Sequence, residues 1–310
     1  MEGLGLSVVM PTLGRRATLP RALARLHRQE GLDEVVLAAD AAGDRGAVER
    51  AWSEAGLPGR VVHGAVPGAS AARNEGWRAA RGAVVLFLDD DVLAEPGLAA
   101  AHAREHAGDP AVDLAVLGDV AWADGLRVSA FMRWIEGLQF DFAAMEPGAQ
   151  TGWWHFYTAN ASVKRAALEQ VGGFDAQGLP FGYEDLDVAK RAGLRVRYVP
   201  AAAAQHEHAM TLEQWRGRIE RLAWSERRFV ARHPDVAPFF HDRFAAAPLA
   251  PRARGRAARV VDLVPERVPW LGPRVHTIAG LYWEQELAER FLAAWRRAGP
   301  GAPGAAPAPQ

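Results

Sequence analysis

The chain has 310 residues, 49% of them hydrophobic and 24% charged, with 36 Lys and Arg against 37 Asp and Glu. This composition is ordinary for a globular protein with one large domain or two small ones, and a net charge of −1 provides no broad positive field for a nucleic acid. Because cysteine is absent, disulfides, thiolate catalysis and zinc–thiolate sites are excluded.

The first half of the chain alternates between short apolar runs and helical patterns. Strands are predicted over 6–10, 34–39, 60–63, 83–88 and 113–117, and helices over 19–29, 47–55 and 69–80. Such alternation predicts a parallel sheet covered by helices on both faces, so the fold class is α/β.

The second half is less regular. Aromatic residues cluster in its first part, and burial in a core is their ordinary role: Phe131, Trp134, Phe140, Phe142, Trp153, Trp154 and Phe156. Helices are predicted after 165, over 184–192, over 211–233 with Thr211 as N-cap, and over 281–297, and a strand over 193–200. Residues 299–310, rich in Pro, Ala and Gly, are predicted to be disordered.

Composition also bears on location. No basic and apolar leader precedes the first predicted strand, and no apolar run reaches the length of a membrane span. With the absence of cysteine, these features predict a cytoplasmic protein. The abundance of Ala, Arg, Gly and Pro is typical of GC-rich bacterial genomes.

Three consecutive carboxylates follow the most apolar of the predicted strands. Residues 84–88 are all apolar, which is typical of a strand buried in a parallel sheet, and Asp89, Asp90 and Asp91 follow directly. Side chains alternate along a strand, so Asp89 and Asp91 are predicted on one face and Asp90 on the other. Since ligands bind at the carboxyl ends of such strands, the acids predict a Mg²⁺ or Mn²⁺ site, with a solvated acidic turn as the alternative.

The acid cluster stands among other short motifs in a fixed order. These are the Pro11-Thr12 turn after the first strand, Asp40 after the second strand, the pair Arg73-Asn74, the run Gly172-Gly173-Phe174-Asp175 and the run Gly182-Tyr183-Glu184-Asp185-Leu186-Asp187. In this order, over about residues 6–208, the chain resembles the family-2 glycosyltransferases, which use nucleotide-sugar donors. The resemblance implies the GT-A fold, a Rossmann-like, mostly parallel sheet flanked by helices, here with a C-terminal helical extension.

The resemblance also implies how the chain is divided. A glycosyltransferase domain is expected over 1–245, with a nucleotide-sugar-binding half over 1–118 and an acceptor-binding half over 119–245. The helical extension then covers 246–298, and the disordered tail covers 299–310.

The donor, a UDP- or GDP-linked sugar, is assigned by the resemblance to residues of the first half: Pro11, Thr12, Arg15, Asp40, Arg73, Asp89 and Asp90. Arg16 is an alternative to Arg15 for contact with the diphosphate. Asp40 is also interpretable as an ordinary turn residue, and Arg73 as a surface arginine on a helix.

The family's Asp-x-Asp motif makes Asp91 the expected metal ligand, with Mg²⁺ or Mn²⁺ bridging the two phosphates. A histidine beyond the last predicted strand is expected to complete the metal shell. His206 and His208 both stand there, and the sequence leaves the choice between them open, with His206 preferred.

Glu184 and Asp185 match the family's Glu-Asp motif, in which Asp185 is the general base that takes the proton of an acceptor hydroxyl. Glu184, Trp153 and Trp154 are the candidate acceptor-binding residues, for a carbohydrate, lipid-linked or small-molecule acceptor. The structural alternative for the acids is favourable placement at a helix N-terminus. Asp187 is expected at the surface or behind the base.

The chain departs from the processive members of the family, and two rival functions are weighed against the resemblance. The Gln-x-x-Arg-Trp motif of processive members is not matched by residues 214–218, which favours transfer of single sugars; inversion follows from the resemblance alone. A sugar nucleotidyltransferase would open with a Gly-x-Gly-x-Arg loop, which residues 10–14 lack. A non-catalytic binding protein on the same fold would lose the acids, yet Asp91 and Asp185 are present.

The C-terminal extension carries arginines beside apolar residues. Arg252, Arg254, Arg256 and Arg259 precede an apolar run that includes Trp270 and Leu271. One interpretation is contact with an anionic membrane, which would place the protein at the inner membrane face. The other is that these residues pack the last helix against the catalytic domain.

Overall fold

The computed structural model describes residues 5–14, 17–139, 145–179, 181–247, 255–264, 267–268 and 270–298. The chain forms two compact units, one of Met1–Leu126 with Phe142–His208 and one of Arg127–Asp141 with Ala209–Gln310. Several predicted features lie outside the described residues: Arg15, Arg16, Phe140, Phe142, Arg252, Arg254 and the tail 299–310. The predicted domain boundaries at 118, 245 and 298 stay predictions.

The described residues of the first unit form a nine-stranded sheet. Its strands are β1 Leu6–Thr12, β2 Glu34–Ala39, β3 Gly59–His63, β4 Val84–Leu88, β5 Val92–Ala94, β6 Leu114–Trp122, β7 Gln150–Thr151, β8 Asn160–Lys164 and β9 Arg195–His206. They are ordered β3-β2-β1-β4-β8-β6-β9-β5, with β7 paired to β9. The predicted parallel arrangement holds from β3 to β4, whereas β8 is antiparallel to both of its neighbours.

Helices cover this sheet as the α/β alternation predicts. They are α1 Leu19–Leu26, α2 Arg45–Ala55, α3 Ala69–Ala79, α4 Leu98–Gly108, α6 Arg165–Val171 and α7 Glu184–Arg191. The residues of β4 are all buried, which explains why this strand reads as an unbroken apolar run. Asp44 caps α2 by accepting from Ala47 N at 2.9 Å, and Gly56 ends that helix in the left-handed conformation.

A polar cluster is buried between α4 and β8. His102 lies between Ser162 Oγ (2.8 Å from Nδ1) and Asn160 Oδ1 (3.0 Å from Nε2), and His106 Nε2 is 2.9 Å from the same Ser162 oxygen. Burial lowers the pKa of His102 to about 4, and burial with the neighbouring Lys164 and His102 lowers that of His106 to about 3. Both rings are therefore neutral at physiological pH.

The second unit is helical in its described parts. It contains α5 Ala130–Gln139, α8 Leu212–Arg232, α9 Phe239–Ala245, α10 Gly255–Val260 and α11 Leu271–Arg297. As predicted, Thr211 caps α8, where it forms a capping box with Gln214. Helix α11 begins at Leu271, earlier than the predicted residue 281. Pro273 does not prevent this start, because it falls in the first turn, where proline is tolerated. None of the described helices is long and apolar enough to cross a membrane.

Candidate active site

The three acids form a turn at the end of β4 and do not continue the strand. The strand ends at Leu88, and Val92 N donates to the main-chain oxygen of Asp89 at 3.1 Å, which closes a four-residue turn before β5. Side chains alternate between two faces only along a strand, so the prediction that Asp89 and Asp91 share one face does not follow for this turn. Each carboxylate instead meets a different partner.

Asp90 is tied to the first strand. Thr12 Oγ1, at the end of β1, donates to Asp90 Oδ2 at 2.5 Å, and Thr18 Oγ1 donates to the main-chain oxygen of Asp90 at 3.1 Å. Because β1 and β4 are parallel neighbours, their carboxyl ends lie side by side and bring Thr12 and Asp90 together. Both side chains are buried.

Asp40 joins the same edge through β2. Pro11 and Thr12 pair in register with Ala38 and Ala39 of β2, and Asp40 N donates to Thr12 O at 2.8 Å. The two carboxylate oxygens of Asp40 accept from Ala42 N and Gly68 N, each at 2.8 Å. Asp40 thus fixes the loop after β2 and the start of α3, which is the turn role considered as the alternative.

Asp91 meets His206. Strand β5 runs antiparallel to β9 with Val92 opposite His206, and Glu207 N donates to the main-chain oxygen of Asp91 at 2.8 Å. This pairing places Asp91 Oδ2 3.7 Å from His206 Nε2, with both side chains buried. Trp122 packs edge-on against the His206 ring, with 5.5 Å between ring centroids.

A carboxylate oxygen and an imidazole nitrogen are suitable ligands for Mn²⁺ or Mg²⁺. Within the described chain, no group of three or more His, Asp or Glu side chains is placed to hold a metal ion. The donor set of Asp91 and His206 fits an ion that completes its shell with diphosphate oxygens and water, as Mg²⁺ commonly does. The His208 ring centroid lies 6.2 Å from that of His206.

Asp89 is paired with Arg73, which is buried in the second turn of α3. Arg73 Nη2 donates to Asp89 Oδ1 at 3.1 Å, and Nη1 donates to Glu184 Oε1 at 3.0 Å. The interpretation of Arg73 as a surface arginine is therefore wrong. One guanidinium connects the acid-rich turn with helix α7.

Helix α7 begins with the predicted Glu-Asp pair. Burial and the neighbouring Glu184 carboxylate raise the pKa of Asp185 to about 7, against the opposing effects of Arg73 and of backbone hydrogen bonds. A carboxyl group with this pKa exchanges protons near neutral pH, as a general base must. Tyr183, just before the pair, has a φ of +66°. This left-handed conformation is uncommon for residues other than glycine, and where it occurs it is often at a functional site.

Asp187, two residues after Asp185, is fully buried, so the expectation that it lies at the surface is wrong; a position behind the predicted base stays a prediction. It accepts from Arg191 Nε at 2.8 Å, and the Arg191 guanidinium also donates to the main-chain oxygens of Val171 and Gly173. This pair anchors α7 to the glycine-rich loop that precedes it.

The predicted acceptor tryptophans form a short 3₁₀ helix, Trp153–His155, beside α7. Lys190 of α7 lies over the Trp153 ring, with Nζ 5.0 Å from its centroid. Trp154 is 51% exposed, so the core interpretation is wrong for this residue, whereas Phe131 and Phe156 are buried as expected. The two rings meet edge to face at 5.7 Å.

Sequence reasoning did not assign roles to three residues that shape the site. Asn74 holds the glycine-rich loop by donating to Phe174 O at 2.7 Å and accepting from Phe174 N at 2.9 Å. Trp122 and Lys190 contact predicted site residues. The Arg73-Asn74 pair was a usable signal for Asn74, but the contacts of Trp122 and Lys190 depend on packing that has no local pattern.

A model of the family described as glycosyl transferase family 2 matches residues 7–172, more than half of the chain. The chain belongs to glycosyl transferase family 2. The part matched by the family model contains the predicted donor-binding residues from Pro11 to Asp91, whereas Asp185 and His206 lie beyond it. The described geometry joins the two parts through Arg73 and through the pairing of β5 with β9.

Curated members of the family resemble this chain over part of their length. A validoxylamine A glucosyltransferase from Streptomyces hygroscopicus subsp. jinggangensis is 29% identical over 273 residues, which cover 75% of this chain and 62% of that protein. A pre-mycofactocin glycosyltransferase from Mycobacterium tuberculosis is 31% identical, over 54% of this chain and 36% of its own. The chain thus spans less than two thirds of the length of these relatives.

Solved structures show the same fold. A mannosyltransferase from Pyrobaculum calidifontis, in complex with GDP-Man and Mn²⁺, has a TM-score of 0.54 at 21% identity, over 95% of this chain and 75% of that one. The TarS protein of S. aureus, residues 1–349 in complex with UDP, has a TM-score of 0.51 at 17% identity, over 94% and 90%. The predicted GT-A fold is confirmed.

Proposed function

We propose that this family-2 member is a metal-dependent, inverting, non-processive glycosyltransferase that moves one sugar from a UDP- or GDP-linked donor to an acceptor hydroxyl. The observation that carries the proposal is the arrangement of the acids after β4. Asp90 accepts a hydrogen bond from Thr12, and Asp91 lies beside His206. Asp89 is linked by Arg73 to the Glu184-Asp185 pair. Family membership favours this function over a sugar nucleotidyltransferase.

Asp91 and His206 would hold the metal ion, with Mn²⁺ or Mg²⁺ as candidates. When bound, the ion offsets the negative charge that develops on the departing nucleoside diphosphate. Pro11, Thr12 and Asp40 lie together where β1 and β2 end and would face the base and ribose. The Mn²⁺ in the Pyrobaculum complex supports trying that metal first.

Asp185 would accept the proton of the acceptor hydroxyl as its oxygen forms the new glycosidic bond and the diphosphate leaves. Its pKa of about 7 lets the carboxylate both accept and release a proton near neutrality. Glu184, Trp153 and Trp154 would bind the acceptor. The curated relatives are named for validoxylamine A and pre-mycofactocin, so these two compounds are the first acceptors to test.

The test is a panel of UDP- and GDP-sugars with Mn²⁺ or EDTA, measured by thermal shift and by donor hydrolysis without acceptor. A donor that binds only the folded protein raises its melting temperature by mass action. We expect stabilisation by one nucleotide class and slow, metal-dependent release of the nucleoside diphosphate. Binding without any hydrolysis or transfer would favour the non-catalytic alternative, and release of pyrophosphate would favour a nucleotidyltransferase.

We also propose that the protein works in the cytoplasm and contacts an anionic lipid surface through its second unit. Exposed apolar side chains gather around the start of α11, with Leu263 76% and Trp270 72% exposed. Leu271, Arg274 and Ile278 follow at helical spacing on one exposed face. Residues 252–278 contain six arginines against two acids, although the whole chain is slightly acidic, and this composition suits an anionic membrane surface.

Co-sedimentation with phosphatidylglycerol vesicles and with neutral phosphatidylcholine vesicles tests this contact. Binding should require the anionic lipid, fall as salt rises, and be lost in the double variant Leu263→Ser with Trp270→Ser. Phe239→Ser, which alters an exposed apolar residue (58%) of the same unit, is the matched control. A parent protein that stays in the supernatant at low salt would instead support the packing interpretation.

A further inference from the structure

One buried arginine connects the donor side of the candidate site with the helix that carries the base. Arg73 Nη2 donates to Asp89 Oδ1 at 3.1 Å, and Nη1 donates to Glu184 Oε1 at 3.0 Å. Arg73 and Glu184 are each 6% exposed. The contact with Glu184 spans 111 positions of sequence, so it is a tertiary link between α3 and the first residue of α7.

We infer that Arg73 is a positioning residue for the base: by holding Asp89 and Glu184, it fixes Asp185, the next residue of α7, relative to the donor. This inference rests on the proposed function. It differs from the role that the family resemblance gives to Arg73, which is direct contact with the nucleotide.

The geometry favours the positioning role. The guanidinium is enclosed by two carboxylates and by the Phe174 ring, whose centroid is 5.9 Å from the guanidinium carbon. By contrast, 33% of the Asp89 side chain is exposed, so the acid-rich turn after β4 faces solvent and the Arg73 guanidinium does not. Removing a buried arginine would leave Glu184 inside the protein without its cation, which is strongly unfavourable.

The charges around Arg73 are unbalanced, and this makes its effect on the base measurable. Burial would lower the pKa of Arg73, but Asp89, Glu184 and Asp185 outweigh burial and raise it. Glu184 Oε2 is buried and has no hydrogen-bond partner among the described residues. At Asp185, burial and Glu184 raise the pKa, whereas Arg73 lowers it. Neutralising Arg73 and neutralising Glu184 should therefore move the pKa of the base in opposite directions.

The experiment compares Arg73→Gln, Arg73→Lys and Glu184→Gln with the parent chain. Nucleoside diphosphate affinity is measured by calorimetry with Mn²⁺, and kcat for transfer or donor hydrolysis is measured from pH 5 to pH 9.5. Arg78→Gln is the matched control, because it removes the same charge from the exposed side of the same helix, where Arg78 Nη2 donates to Gly172 O at 3.2 Å. Thermal unfolding of each variant shows whether it is folded.

For Arg73→Gln we expect nucleotide affinity within about twofold of the parent, since the inference places no nucleotide contact on this residue. Loss of an adjacent cation raises a carboxyl pKa by about 1–3, so kcat at pH 7 should fall about 5- to 500-fold and recover at alkaline pH. Arg73→Lys, which keeps the charge, should leave the pH profile close to that of the parent. Glu184→Gln should move the acidic limb to lower pH.

Weaker nucleotide binding in Arg73→Gln, with an unshifted pH profile, would overturn the inference and assign Arg73 to the nucleotide. Profiles that stay unshifted in both neutralised variants would overturn it as well, since a purely structural role lowers kcat at every pH. If Arg73→Gln does not fold, Arg73→Lys decides: parent-like nucleotide affinity and pH profile support the inference, and weaker nucleotide binding with an unshifted profile overturns it. A parent that neither binds nor turns over any donor overturns the proposed function, whereas an active parent with unshifted variants contradicts only the role of Arg73.

Discussion

Two buried groups of ionisable side chains in the first unit are built in opposite ways. Between α4 and β8, His102 and His106 hydrogen-bond to the neutral side chains of Ser162 and Asn160, and burial keeps both rings uncharged. At the carboxyl edge, the guanidinium of Arg73 lies among the carboxylates of Asp89, Glu184 and Asp185, so acids outnumber this cation within the described residues.

The difference separates structural burial from functional burial. A buried titratable group costs little when it is neutral and hydrogen-bonded, as the histidines are. Buried charges with incomplete pairing cost stability, and such groups persist mainly where chemistry needs a shifted pKa. Burial alone would have marked both groups as candidate functional sites. Only the unbalanced charge distinguishes the acids around Arg73 from the histidine cluster.

The largest expected effect is on the base. Asp185→Asn removes the carboxylate that accepts the proton, so the transfer rate should fall by about 10²–10⁴. Donor affinity should stay near that of the parent, and thermal stability should be equal or higher, because one of several crowded carboxylates is gone. Steady-state kinetics with calorimetry tests this split. A variant that transfers sugar at nearly the parent rate would place the base elsewhere, at another acid of α7 such as Glu184 or Asp187.

The histidine cluster should affect stability and leave chemistry unchanged. Because the pKa values of His102 and His106, about 4 and about 3, lie below the unfolded value, the unfolded state takes up protons first as pH falls. Stability should therefore be lost below about pH 6.5, by about 2 kcal/mol for each histidine at pH 5, and level off only below the folded pKa values.

Urea unfolding at pH 7.5 and pH 5 measures this loss. His102→Gln removes one protonation site, so its midpoint should depend less on pH, even if it is lower at pH 7.5. His27→Gln alters an exposed histidine and serves as the control. An unchanged acid dependence in His102→Gln would assign the acid sensitivity to other groups.

On the donor side, Asp91→Asn should weaken metal-supported binding. Replacing a carboxylate ligand by an amide removes the charge that a hard cation prefers, so UDP or GDP affinity in Mn²⁺ should fall at least about tenfold. Affinity in EDTA should match that of the parent. Calorimetry with and without EDTA provides the test, and equal parent affinity in both conditions would remove the metal from the proposal.

The donor edge was the part of the site that the sequence allowed us to predict. Apolar runs predicted β1, β2 and β4, and the family resemblance grouped Thr12, Asp40 and the acids. The parallel pairing of these strands brings those residues to one edge of the sheet. The turn at Asp89–Val92 was foreseen only in the alternative interpretation, a solvated acidic turn, because a strand and a turn follow an apolar run equally well.

The remainder depended on tertiary contacts. Strand β8 reads Asn-Ala-Ser-Val-Lys, and its polar residues are buried because His102 and other groups satisfy them, so an apolar pattern could not reveal it. Helix α4 was likewise unpredicted. The Arg73–Glu184 ion pair has no local signature, and neither has the left-handed backbone of Tyr183.

The smallest expected effect concerns Trp154, a candidate acceptor-binding residue in the 3₁₀ helix beside α7. This ring is half exposed and packs over Gly152, where a Cβ atom would collide with it. Stacking on a ligand is worth about 0.5–1.5 kcal/mol, so Trp154→Ala should raise the KM for the acceptor about two- to tenfold. Donor hydrolysis without acceptor should not change, because the donor-side contacts do not involve this ring. Gly152→Ala, which must displace the ring, should reproduce the effect, whereas Trp270→Ala, at another exposed tryptophan (72%), should not. An unchanged acceptor KM in both Trp154→Ala and Gly152→Ala would show that this 3₁₀ helix does not bind the acceptor.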